Sequence, residues 1–169
     1  MFSPIIRLTL FITIIGAAII SFIKGKDFGG VALILGAVYV AVDYYRSGSV
    51  WVAFRHLRKG RFDLAQKHIK QTKYTKWLRN THKSSYHTIE GYLALQNNHL
   101  DKASKSFAKA EEFGFRSPRD RAMNFINQIN VLVKLGKKTS AKKKFLELKE
   151  LNTSGFEEEI RKLNQLFNN

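Results

Sequence analysis

No cysteine occurs among the 169 residues. A disulfide framework, a thiolate zinc site and cysteine nucleophilic catalysis are therefore excluded. Acidic residues are scarce. Thirteen Asp and Glu stand against 29 Lys and Arg, and the net charge of +16 is extreme for this length. His56, His68, His82, His87 and His99 contain no i, i+4 pair and no HExxH, so the usual helical zinc pattern is missing. No glycine-rich loop that would cradle a phosphate is present. Ser106 to Lys109 matches Ser-x-x-Lys, but both flank Phe107 on a helical stripe, where chance explains the match better than a nucleophile does. Asn152-Thr153-Ser154 matches a glycosylation acceptor and reads equally as the cap of a final helix. The expectation is a non-catalytic chain with no metal and no cofactor.

What is abundant is apolar sequence at the start and basic sequence after it. Residues 4–23 carry one charge, Arg7, and residues 28–42 carry none. A helix rises about 1.5 Å per residue, so the first run reaches roughly the 30 Å of a hydrocarbon core. With Tyr44 and Tyr45 as interfacial anchors, residues 1–45 are expected to form a transmembrane hairpin, about 4–23 and 28–45. Gly16, Ala17 and Ala18 would face Ala32, Gly36, Ala37 and Ala41, small residues that let helices approach. The same residues also read as a buried helical pair or as a signal peptide ending near Gly16-Ala17-Ala18. Lys and Arg cluster after the second run, which places both termini in the cytoplasm of an integral multi-pass protein.

Beyond residue 46 the pattern becomes helical and repeats. Ala65, Ala103 and Ala141 stand 38 residues apart. Five positions before each lies a turn residue, Gly60, Asn98 or Gly136, and four positions after each lies Ile69, Phe107 or Phe145. A period of this size marks stacked helical hairpins, each leaving an apolar face that its neighbour must cover. Helices are expected over about 47–58, 62–78, 84–97, 99–113, 117–136 and 138–151. Ser117, Pro118 and Asp120 form a clear helix start. A seventh helix opens with Ser154 and Glu157 as a capping box and carries the stripe Phe156, Ile160, Leu163 and Phe167. The repeats divide as 46–83, 84–121 and 122–151, with 152–169 as a capping helix. An unrelated bundle with a chance periodicity is the competing reading.

Gly91, Ala94, Asn98, Ala103, Phe107 and Ala110 follow the spacing of the tetratricopeptide repeat, and the region 46–151 resembles that family. The period of 38 exceeds the usual 34 or so, Ile129 stands where a small residue is expected, and Lys138 replaces a large apolar one. The resemblance implies an α-solenoid whose first helices line a peptide-binding groove. Position by position it implies Phe54 and Arg58, Tyr92 and Gln96, and Asn130 and Lys134, each pair on one helix face. It implies a scaffold or adaptor for protein or peptide partners, with Asn130 and Lys134 suited to clamp a carboxylate. The fold expected is thus all-α: two transmembrane helices, about three tetratricopeptide-like hairpins and a cap.

The positive charge lies in two blocks. From Arg46 to Ser84 eleven Lys and Arg oppose Asp63, and from Arg116 to Lys149 ten oppose Asp120 and Glu147, whereas Ser85 to Phe115 carries a net −1. The blocks suit anionic lipid headgroups beside the bilayer held by residues 4–45, or an acidic protein segment. Lys70, Lys73, Tyr74, Lys76, Trp77 and Arg79 interleave charges and aromatic rings as single-strand nucleic-acid binders do. No nucleic-acid motif accompanies them, so that partner is the less favoured, and a solvated basic face is the plain alternative.

Overall fold

The computed structural model describes residues 4–47, 49–151 and 154–168. Among them every regular element is helical: α1 (Pro4–Ile23), α2 (Asp27–Ser47), α3 (Val50–Arg58), α4 (Phe62–Lys70), a 3-10 turn (Thr75–Trp77), α5 (Asn80–Gln96), α6 (Leu100–Glu112), α7 (Pro118–Lys134), α8 (Lys138–Lys149) and α9 (Glu157–Asn168). The all-α expectation holds. The chain forms two compact units, up to Arg79 and from Asn80 onward.

In the first unit α1 and α2 form a hairpin. Gly25 turns it at φ +67°, and the Lys26 N–H reaches back to the Ser21 carbonyl at 3.0 Å. Ala18 and Ala37 are buried, as expected of small residues between helices. Gly16 and Gly36 are not close-approach positions, because a Cβ on either would meet nothing within 4 Å. Gly30 is one instead: a Cβ there would lie 2.6 Å from the Phe22 ring.

The membrane-spanning expectation is corrected. Among the described residues no helix is long and apolar enough to cross a membrane. After Arg7 the uncharged stretch of α1 is residues 8–23, about 24 Å of helix, and α2 is bounded by Asp27 and Asp43, which leave about 22 Å between them. Both fall short of the roughly 30 Å required. The integral multi-pass placement with cytoplasmic termini rested on those spans and falls with them. The interfacial role of Tyr44 and Tyr45 concerns side chains outside the described ones.

The 38-residue repeat is physically real. Gly60, Asn98 and Gly136 adopt φ +67°, +58° and +73°. Each closes a helix in the same way. The N–H of Gly60, Asn98 or Gly136 bonds the carbonyl of Leu57, Leu95 or Val133 at 2.9–3.0 Å, and the next N–H bonds that of His56, Ala94 or Leu132 at 2.8–3.0 Å. These are Schellman caps, which satisfy carbonyls that the helix end leaves open. The following helix then opens with Ala65, Ala103 or Ala141, whose N–H bonds the residue four before it at 2.9–3.0 Å. All three alanines are fully buried, and Ile69, Phe107 and Phe145 bury beside them.

Two boundaries differ from expectation. α4 ends at Lys70 instead of near Leu78, because its end is tied to the start of α3: the Ser49 N–H donates to Thr72 Oγ1 at 3.2 Å. α5 begins at Asn80, before the serines taken as its start. Two of its hydroxyls stay inside the helix by bonding back one turn, Ser85 to the Thr81 carbonyl at 3.0 Å and Thr88 to that of Ser84 at 2.9 Å.

In the second unit α5, α6, α7 and α8 pack in sequence, each on the next. Ser117 caps α7 by accepting from the Asp120 N–H at 3.1 Å, with Pro118 in the first turn. Ile129, the bulky departure from the repeat, is fully buried in a cluster with Phe125, Phe145 and Leu148. α9 lays Phe156, Ile160, Leu163 and Phe167 on that cluster, while Glu158, Arg161, Lys162 and Gln165 face outward. Its start differs from the expected box in detail: Glu157 Oε1 accepts from the Gly155 N–H at 2.8 Å. The glycosylation-like Asn152-Thr153 lies outside the described residues.

The caps make a prediction. An L residue other than Asn pays about 1–2 kcal/mol in the left-handed region. Asn98→Gly should hold or slightly raise the thermal midpoint of the second unit, whereas Gly136→Val should lower stability by about 1–2 kcal/mol in urea melts.

Candidate binding surface

The six residues implied by the resemblance occupy different environments. Phe54 is buried at 6% exposure, so its ring belongs to the core of the first unit. Arg58 is exposed on the same helix. Thirty-eight residues on, Tyr92 is half-buried, and after another 38 Asn130 is exposed. One repeat position therefore passes from core to surface along the chain. Gln96 and Lys134 are exposed.

In the second unit Tyr92 on α5 is tied to α7, the helix of Asn130 and Lys134, through a residue the sequence did not single out. Asn127 Nδ2 donates to the Tyr92 hydroxyl at 2.6 Å and to the Met123 carbonyl at 2.6 Å. Asn127, Asn130 and Lys134 share one face of α7 by their i, i+3, i+7 spacing, and Tyr92 and Gln96 share one face of α5. The hydrogen bond joins these two faces at one point. Tyr92 is held from behind by Phe107, edge-on at a centroid distance of 5.5 Å. Burial raises its phenol pKa, and the Asn127 bond only partly opposes this. The hydroxyl is thus a neutral, fixed polar group at neutral pH.

A second polar arrangement locks α6, α7 and α8 together. Asn124 Nδ2 donates to the Phe107 carbonyl at 3.1 Å, and Gln128 Nε2 donates to Glu111 Oε2 at 3.0 Å. Lys144 Nζ reaches Glu111 at 3.1 Å and Glu147 at 2.7 Å, and lies 4.4 Å above the Phe125 ring. Burial alone would lower the Lys144 pKa, but its bonds and attraction to Glu147 and Glu111 outweigh that and raise it. These residues stabilise the stack rather than line the stripe. No periodic signal marks them, because Asn, Gln and Lys at single helix positions look like any polar face.

Among the described residues no group of three or more His, Asp and Glu is placed to hold a metal ion. Two histidines that the sequence keeps twelve apart do meet: His56 and His68 stack at 5.2 Å, within 8° of parallel. Tyr74 and Trp77, the rings interleaved with basic charge, stand 55% and 67% exposed beside Lys73 and Lys76. Arg79 pairs with Asp43 at 3.3 Å.

No family model, curated protein sequence or solved structure matches this chain.

The histidine stack predicts a pH response. Burial lowers the His56 pKa below its ordinary 6.5, and His68, Arg61, Lys59 and Arg55 repel a proton there further. As pH falls through 6.5 the unfolded chain takes the proton first, so the first unit loses stability on acidification. Both tryptophans, Trp51 and Trp77, lie in this unit. The thermal midpoint followed by tryptophan fluorescence should fall between about pH 7.5 and 5.5, and His56→Gln should flatten that slope.

Proposed function

We propose that this chain is a non-catalytic scaffold whose second unit is a tetratricopeptide-like helical repeat that binds an extended protein or peptide segment. The observation that supports this reading is the Tyr92–Asn127 hydrogen bond, which ties α5, carrying the exposed Gln96, to α7, carrying the exposed Asn130 and Lys134. An extended peptide has unpaired backbone N–H and C=O groups. A stripe of amides with one ammonium offers them both donors and acceptors without requiring a deep pocket. Lys134 forms no ion pair among the described residues. It supplies a point charge for a carboxylate, and Asn130, one turn before it, supplies the adjacent N–H. Phe54 is not part of this surface, so the reading rests on the second unit alone.

A second reading is favoured by one observation in the first unit. Exposed Tyr74 and Trp77 between lysines are the arrangement that stacks unpaired bases while neutralising phosphates.

Selection of a random peptide library on the full chain separates the two. The scaffold reading expects enriched peptides with an acidic side chain or a free carboxyl end. Their affinity should fall about tenfold in the Asn130→Ala, Lys134→Ala double variant, the loss of about 1.4 kcal/mol, and hold in Trp77→Ala. No enrichment, or peptides indifferent to the double variant, would refute it. Single-stranded RNA binding that weakens steeply with salt and is lost in Trp77→Ala would establish the second reading instead.

A further inference from the structure

The sequence match Ser106 to Lys109, dismissed as chemistry, acquires a setting in the structure. An open cup of about 390 Å³ lies between α5 and α6 and is lined by His87, Glu90, Lys102, Lys105, Ser106 and Lys109. Lys102, Lys105 and Lys109 are spaced i, i+3, i+7 with Ser106 between them, so one face of α6 presents all four. Among the described residues none of the three ammonium groups has an ion-pair partner or a hydrogen-bond partner.

Ser106 is the decisive member. The residue is 9% exposed, its hydroxyl opens on the cup, and that hydroxyl has no hydrogen-bond partner among the described residues. A serine inside a helix ordinarily bonds back to the carbonyl one turn earlier. Ser85 and Thr88 on the facing helix do so, and Ser106 does not. A ligand oxygen can take that open place.

The other wall is held rigid. The His87 ring stacks on Phe113 at 5.7 Å within 14° of parallel, and its Nδ1 is 2.7 Å from Glu90 Oε2. The only carboxylate in the cup is thus engaged by the imidazole. Three unpaired lysines, a hydroxyl donor and one tied-up carboxylate make a site that prefers a compact anion with many acceptor oxygens.

We infer that this cup binds a phosphate monoester group, Ser106 donating to one oxygen and Lys102, Lys105 and Lys109 neutralising the dianion. Lysine serves as a point charge for phosphate, where a bidentate carboxylate match would call for arginine. The volume exceeds what the phosphate alone fills, and the open mouth leaves room for whatever carries it. A long polyanion is the wrong carrier. Around the cup the stretch from Ser85 to Phe115 has a net charge of −1, with Asp101, Glu111 and Glu112 close in sequence. The attraction is therefore local to one group. Two sources share this chemistry: a small phosphorylated molecule, and a phosphorylated side chain of a protein segment. The site is separate from the α5–α7 stripe and does not depend on it.

The test is an NMR titration of the full chain at constant ionic strength with inorganic phosphate, with phosphoserine in a short peptide, and with the unphosphorylated peptide. Saturable shifts at Lys105, Ser106 and His87, with a dissociation constant on the order of millimolar for the free ion, are expected. They should be absent with the unphosphorylated peptide. Tighter binding of the phosphopeptide identifies a protein segment as the source, and equal or tighter binding of the free ion identifies a small molecule. Ser106→Ala should weaken binding about threefold and Lys105→Gln with Lys109→Gln about tenfold, with helicity by circular dichroism unchanged. Shifts that do not saturate, or that appear equally at Lys142 and Lys143 on α8, overturn the proposal. So does an unaltered titration in both variants.

Discussion

The second unit depends on one close approach. A Cβ at Gly91 would lie 2.6 Å from the Phe107 ring, nearer than real side chains pack. Phe107 is fully buried, and a ring of this size contributes about 1.5–3 kcal/mol by leaving water. Glycine in the middle of a helix costs about 1 kcal/mol relative to alanine. Here that cost is the condition for α5 and α6 to meet at the distance the ring sets. From the same residue the structure extends in two directions. The ring supports Tyr92 edge-on, and its carbonyl takes the amide of Asn124 from α7. The position of α7, and with it the stripe of Asn127, Asn130 and Lys134, follows from where Phe107 sits.

The two candidate surfaces inherit this arrangement on opposite terms. Tyr92 rests on the core ring and ties α5 to α7 at Asn127, so the core fixes that link. The cup of α5 and α6 is formed on the flank of the same hairpin, and Ser106 borders Phe107 in sequence. Packing that buries the ring also draws the serine inward without giving its hydroxyl a partner. Lysines on the exposed side of α6 then surround it. Structure and ligand preference share a cause: one helix turn holds a core ring, an unmatched donor and free charges together.

The repeat was legible in the sequence because its signals are backbone rules. Asn98 and the glycines at 60 and 136 mark left-handed caps, and small residues at 65, 103 and 141 mark contact between helices. Ser117 and Pro118 fixed the start of α7 for the same reason. What could not be read is what depends on partners distant in the chain. The early end of α4 needs Ser49 to reach Thr72 across 23 residues. Phe54 looks like Tyr92 in the repeat register, and only burial separates the core ring from the surface one. Asn127 carries no periodic mark, since its role is to meet Tyr92. The membrane reading failed on charge placement. Arg7 shortens one run and Asp27 and Asp43 bound the other, so counting apolar residues overstated the length available.

The central claim, that Phe107 seated on Gly91 sets the stack, is tested most directly by a double-mutant cycle. Gly91→Ala, Phe107→Leu and the pair would be measured by urea unfolding of the full chain, with hydrogen exchange assigning the transition to α5–α7. Overpacking should make Gly91→Ala destabilising by about 1–3 kcal/mol despite alanine's better helix propensity. In the presence of Phe107→Leu that penalty should shrink by about 1 kcal/mol or more. Additivity of the two changes within about 0.3–0.5 kcal/mol, or a Gly91→Ala variant more stable than the parent, would contradict it.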